Sequence, residues 1–78
     1  MNKRELAELK SLFGQSVVED AIAHKDYFNQ WCIENAKQVA DAASKLKVVI
    51  HNPQDAVAFV STLDPVLKSA LVIAIIEA

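Results

Sequence analysis

Glycine, proline and cysteine are nearly missing from this chain of 78 residues, which has one glycine, two prolines and one cysteine. Each scarcity excludes something. With Gly14 as its sole glycine the chain has no glycine-rich loop to cradle a phosphate. None of Ser11, Ser16, Ser44, Ser61 or Ser69 sits in a glycine-flanked turn of the kind that exposes a nucleophile. The lone Cys32 rules out an intrachain disulfide and any thiolate metal set. Its place among apolar neighbours suits a reduced thiol packed as a small hydrophobe, in a reducing compartment.

A basic excess is also lacking. Eight Lys and Arg against ten Asp and Glu leave a net charge of −2. A nucleic-acid binder displays a basic stripe, and a surface for anionic lipids needs clustered cations, so neither partner is expected. No apolar run approaches the ~20 residues of a membrane span; the longest, 70–76, is far short. Residues 1–10 are charged and amphipathic, unlike a secretory leader. The expected location is the cytoplasm.

What is present is apolar: 53% of the residues, too many for an intrinsically disordered chain. Residues 1–78 form one domain at most. A chain this short buries only ~60% of its unfolded surface, and natural chains of this size often add disulfides, a metal or a partner subunit. With no disulfide and no metal motif, a second subunit is the expected source of extra burial.

The spacing predicts an all-α fold: a small helical bundle with one long central helix, about 16–50, and three short helices, about 3–13, 53–63 and 65–77. Asn2 and Glu5 form a capping box for the first helix, and Met1 and Leu6 a hydrophobic staple. Gly14 stands where that helix should end in a left-handed cap. Ser16 and Glu19 form a second capping box. Beyond them a 3.6-residue stripe runs through Ala21, Lys25, Phe28, Cys32, Ala36, Val39, Ala43, Leu46 and Ile50. Asn52-Pro53 and Asp64-Pro65 each pair a capping residue with a proline at the first helical position. The last helix is apolar nearly all round, the mark of burial on several sides.

Unbroken, the long helix would measure about 50 Å at a rise of ~1.5 Å per residue, too long for three short helices to cover. Either it breaks near residues 26–29, or a second copy packs along it. A homodimer is the expectation, with Phe28, Cys32, Ala36, Val39, Ala43 and Leu46 as the seam and Leu71 and Ile75 of the last helix joining it. Lys25 and Asn35 interrupt a strict heptad, so bundle packing is expected rather than a coiled coil.

Chemistry-bearing constellations are few. Asp20 and His24 lie one turn apart, but two ligands do not make a metal site, and His51 is far along the chain. No catalytic, metal or cofactor-binding residues are assigned, and no cofactor is expected. Tyr27 and Trp31, one turn apart with Glu34 at their rim, form an aromatic patch of the kind enriched at binding hot spots. The functional expectation is therefore not an enzyme. It is a protein–protein interaction module, a small helical homo-oligomer acting as adaptor, inhibitor or regulator of a larger protein, in the manner of bacterial or phage accessory factors. An alternative is a DNA-associated transcriptional regulator using the helical pair 53–77, although Lys68 is the only base-reading candidate on its second helix. A third is a ligand-binding or catalytic pocket between subunits, with Asp20, His24 and His51.

Overall fold

In the computed structural model, which describes residues 3–77, the last helix is the core and the others wrap it. There are six helices among the described residues: α1 (Lys3–Phe13), α2 (Gln15–Ala23), α3 (Lys25–Glu34), α4 (Ala36–Val49), α5 (Pro53–Ser61) and α6 (Pro65–Glu77). Helix α6 packs against α2 and α3 along most of its length, against α4, and against the edge of α1. Helix α5 closes the bundle between α1 and α4.

Composition explains why α6 sits inside. Its apolar residues point in every direction, so no single neighbour can cover them. Ala70, Leu71, Val72 and Ile73 are fully buried, and Leu67 and Ser69 nearly so. Burying a Val, Leu or Ile side chain contributes roughly 1.5–3 kcal/mol, so this one segment supplies a large part of the stability. Around it lie Leu9, Phe13, Val18, Ala21, Val39, Ala42, Leu46, Ala56 and Val60.

The single long helix of residues 16–50 is not formed. It is broken twice, at His24 (φ −117°, ψ 37°) and at Asn35 (φ −123°, ψ 38°), on either side of the expected 26–29 region. The hydrogen-bond ladder nevertheless runs through both corners. The His24 and Asn35 amides donate to the Asp20 and Trp31 carbonyls, at 3.0 and 2.9 Å. Phe28 N–H donates to His24 O at 3.2 Å and Val39 N–H to Asn35 O at 3.1 Å. Asn35 adds a side-chain bond, Nδ2 to the Trp31 carbonyl at 3.0 Å, the local competition for backbone acceptors that disfavours Asn inside helices. The larger cause is tertiary. A straight helix could touch α6 along one line only, whereas three short legs turn around it. The molecule spans 30 × 26 × 20 Å, so a straight helix of about 50 Å has no room in it. The radius of gyration, 11.4 Å, matches the ~11.5 Å of a compact chain of this length.

The connections follow local rules. Gly14 closes α1 with its amide on the Lys10 carbonyl at 2.9 Å and opens α2 with its own carbonyl. Its φ of +96° with ψ of 143° belongs to a region used almost only by glycine. Helix α2 therefore starts at Gln15, and Ser16 lies within its first turn instead of capping it. At α5 the Asn52 side chain accepts from the Gln54 and Asp55 amides, with Pro53 at the start. The capping box and staple involving Asn2 and Met1 fall outside the described residues.

Candidate functional site

The aromatic patch on α3 is split by the structure. Tyr27 stands out from the surface, 60% exposed, held edge-on against Phe28 with ring centroids 5.1 Å apart and planes at 86°. Trp31, one turn on, leans into the core together with Phe28 and Cys32. Its carbonyl takes both bonds from Asn35 at the second corner. Trp31 thus fastens α3 to the core, and Tyr27 carries the exposed aromatic surface. Glu34 is exposed but lines a different, polar hollow at the Asn35 corner, with Lys37 and Asp41.

Ile22 is the neighbour that matters for Tyr27. It is 46% exposed and lines both the shallow hollow at the α2–α3 corner, which includes Tyr27, and an adjoining apolar hollow of about 260 Å³ floored by Leu6, Ile73 and Ile76. Lys25 borders both hollows, and its Nζ meets Glu77 Oε1 at 3.0 Å, linking the start of α3 to the last turn of α6. Both partners are about half exposed, so the pair contributes under about 1 kcal/mol. Ile22 lies off the apolar stripe, beside Ala21 and two residues before the chain turns at His24.

A second hollow also borders α1 and α6. Along α1, Leu9 and Leu12 face Leu46, Ile50 and Ile75 across a groove of about 270 Å³. It runs on into an open, mainly apolar depression of about 490 Å³ between α1 and Pro53. Glu5, Glu8 and Arg4 border it.

The expected dimer-seam residues lie mostly within the single chain. Val39, Leu46 and Leu71 are buried in the core; Phe28, Cys32, Ala43 and Ile75 pack partly buried against it; Ala36 is exposed. Most of the apolar stripe is therefore covered within the same chain, by α6 and α5. The Cys32 thiol donates to the Ala70 carbonyl at 3.2 Å, and burial pushes its pKa up, which disfavours the reactive thiolate.

Asp20, His24 and His51 are all exposed. Among the described residues no three His, Cys, Asp or Glu side chains come close enough to hold a metal ion. No helix among them is long and apolar enough to cross a membrane. Helix α6, the second helix of the 53–77 pair, is enclosed by its neighbours, so it cannot enter a DNA groove without leaving the core.

These features define a class by architecture: a small all-helical protein built as a sheath of short helices around one apolar helix. Compared with known proteins, the chain matches no family model, no curated protein and no solved structure.

Proposed function

We propose that this chain is a non-enzymatic protein–protein interaction module, a cytoplasmic adaptor, inhibitor or regulator of the kind found among bacterial and phage accessory proteins. The observation that carries this reading is the α2–α3 corner, where Ile22 and Tyr27 stand exposed beside an apolar hollow. A tyrosine offers a large apolar face with a polar tip at low entropic cost, which suits an anchor at an interface. The lone Cys32, with no second cysteine to pair with, suits a reducing environment.

Self-association belongs to the proposal, through the surface instead of the stripe. Ile33 and Val48, 71% and 79% exposed, are the large apolar side chains exposed by the greatest fraction among the described residues.

The test is affinity capture with wild type, Ile22→Asp and Tyr27→Ala, alongside light scattering across a concentration series. A partner retained by wild type and lost from both variants supports the corner as the docking site. Equal recovery from all three removes it. A monomeric mass at every concentration removes self-association.

A further inference from the structure

We propose that the bend at His24 is a hinge on which two copies of this chain exchange their α1–α2 arms, giving a domain-swapped dimer. The proposal does not rest on a partner docked at Ile22 and Tyr27, nor on surface contacts through Ile33 and Val48.

The backbone comes first. At Gly14 and at Asn52-Pro53 the sequence stops a helix by its own chemistry: a positive φ at the only glycine, and a capping side chain followed by proline. His24 has neither device. Residues 15–49 hold no glycine and no proline, and α3 begins with no side-chain cap. The helical ladder reaches the bend from both sides, with His24 N–H on the Asp20 carbonyl and Phe28 N–H on the His24 carbonyl. Between them the Lys25, Asp26 and Tyr27 amides open α3 without an acceptor inside it. Turning His24 from φ −117° and ψ 37° to helical values of about −63° and −42° brings those three amides onto the Ala21, Ile22 and Ala23 carbonyls. Straightening breaks no backbone hydrogen bond and offers three new ones. The bend at Asn35 is tied by its side chain to the Trp31 carbonyl. His24 is exposed and makes no side-chain hydrogen bond among the described residues, which singles out the first bend as the hinge.

The fold divides at the same point. Helices α1 and α2 pack on each other, while α3 and α4 pack on α6 and α5 packs on α4. Across the division lie α2 against α6, and α1 against α5 and α6. With the hinge straight, residues 15–34 form one helix of about 30 Å, which carries the arm away from its own α6. The surface left behind on α5 and α6 is complementary to one object, the α1–α2 arm of a second copy. Reciprocal exchange closes as a twofold dimer. It returns Leu9, Phe13, Val18 and Ala21 to a core of the same composition and changes only the two hinges. Packing on α6 of the same chain holds the bend in the monomer, so concentration selects between the two forms.

The experiment refolds wild type, His24→Ala and His24→Gly from denaturant at millimolar concentration and separates monomer from dimer by size-exclusion chromatography. A helix interior favours Ala over Gly by about fivefold. A swapped dimer contains two hinges, so the dimerisation constant of His24→Ala should exceed that of His24→Gly by about twentyfold, with wild type between them. The position is exposed, and the three monomers should unfold at similar urea concentrations. In dimers made from labelled and unlabelled chains, isotope-filtered nuclear Overhauser effects should connect α2 of one chain to α6 of the other. The dimer should also persist on dilution, because reversal requires the arm to leave α6. Three chains that stay monomeric overturn the proposal, as does equal dimerisation by the Ala and Gly variants. A dimer whose α2–α6 contacts remain within one chain overturns it too, and leaves association through Ile33 and Val48 standing. Capture of a partner by Ile22 and Tyr27 is read on the monomer, so its failure and the failure of the hinge are separate results.

Discussion

The Cys32 thiol donates a hydrogen bond to the Ala70 carbonyl, 38 residues further along the chain, at 3.2 Å. That contact joins the last turn of α3 to the middle of α6, and it requires the protonated thiol. Burial also favours the neutral form and raises the thiol's pKa in the folded state. The unfolded thiol loses its proton near pH ~8.5, so the contribution is fully present below that value. It is lost as pH rises from there through the folded pKa. Urea midpoints should fall between neutral pH and mildly alkaline pH in wild type, and less steeply in Cys32→Ala.

Leu71 is fully buried at the centre of α6. Leu71→Ala should cost roughly 2–5 kcal/mol, by loss of transfer free energy and by the cavity left behind. Val48→Ala, at a position 79% exposed, should stay within about 0.5 kcal/mol of wild type. Equal effects in chemical denaturation would contradict the placement of α6 as the core helix.

Asn52 holds the first turn of α5 through two side-chain bonds, to the Gln54 and Asp55 amides at 3.1 and 3.3 Å. Asn52→Ala should cost about 0.5–2 kcal/mol, whereas Asn52→Asp should retain most of the stability. Thermal unfolding of the two variants separates lost capping from a general effect of substitution.

A Cβ at Gly14 would meet no atom within 4 Å, so the cost of Gly14→Ala comes from the backbone alone. At φ +96° it should destabilise by more than about 1 kcal/mol. Gly14→Asn should cost about as much, because the tolerance of asparagine for positive φ lies in the left-handed helical region and not near ψ 143°. Denaturation midpoints of the two variants provide the comparison.

How much of this was legible in the sequence depends on how local the cause was. Asn52-Pro53 marks the start of α5 because the capping chemistry lies within four residues. The burial of α6 could be read from its composition, since apolar residues on every side leave no face for water. Val39, Leu46 and Leu71 could be read as buried, but not as covered by their own chain. The corners at His24 and Asn35 were not legible. No glycine or proline marks them, and although Lys25 and Asn35 interrupt the apolar pattern beside them, a straight amphipathic helix carries such interruptions too. What decides the bends is the distant helix that needs wrapping. Spacing put Tyr27 and Trp31 on one side of α3, as i and i+4 require. It could not say that the core would take Trp31 and leave Tyr27 outside, next to the exposed Ile22.

The position of α6 in the order of synthesis has its own consequence. It is the last of the described helices to be made, and the earlier ones have nothing to close around until it arrives. Helices shorter than ~12–15 residues are marginal alone in water, and α1, α2, α3 and α5 are 11, 9, 10 and 9 residues long. The nascent chain therefore carries its apolar legs exposed until α6 emerges, and cooperative folding of the six helices is the expected outcome.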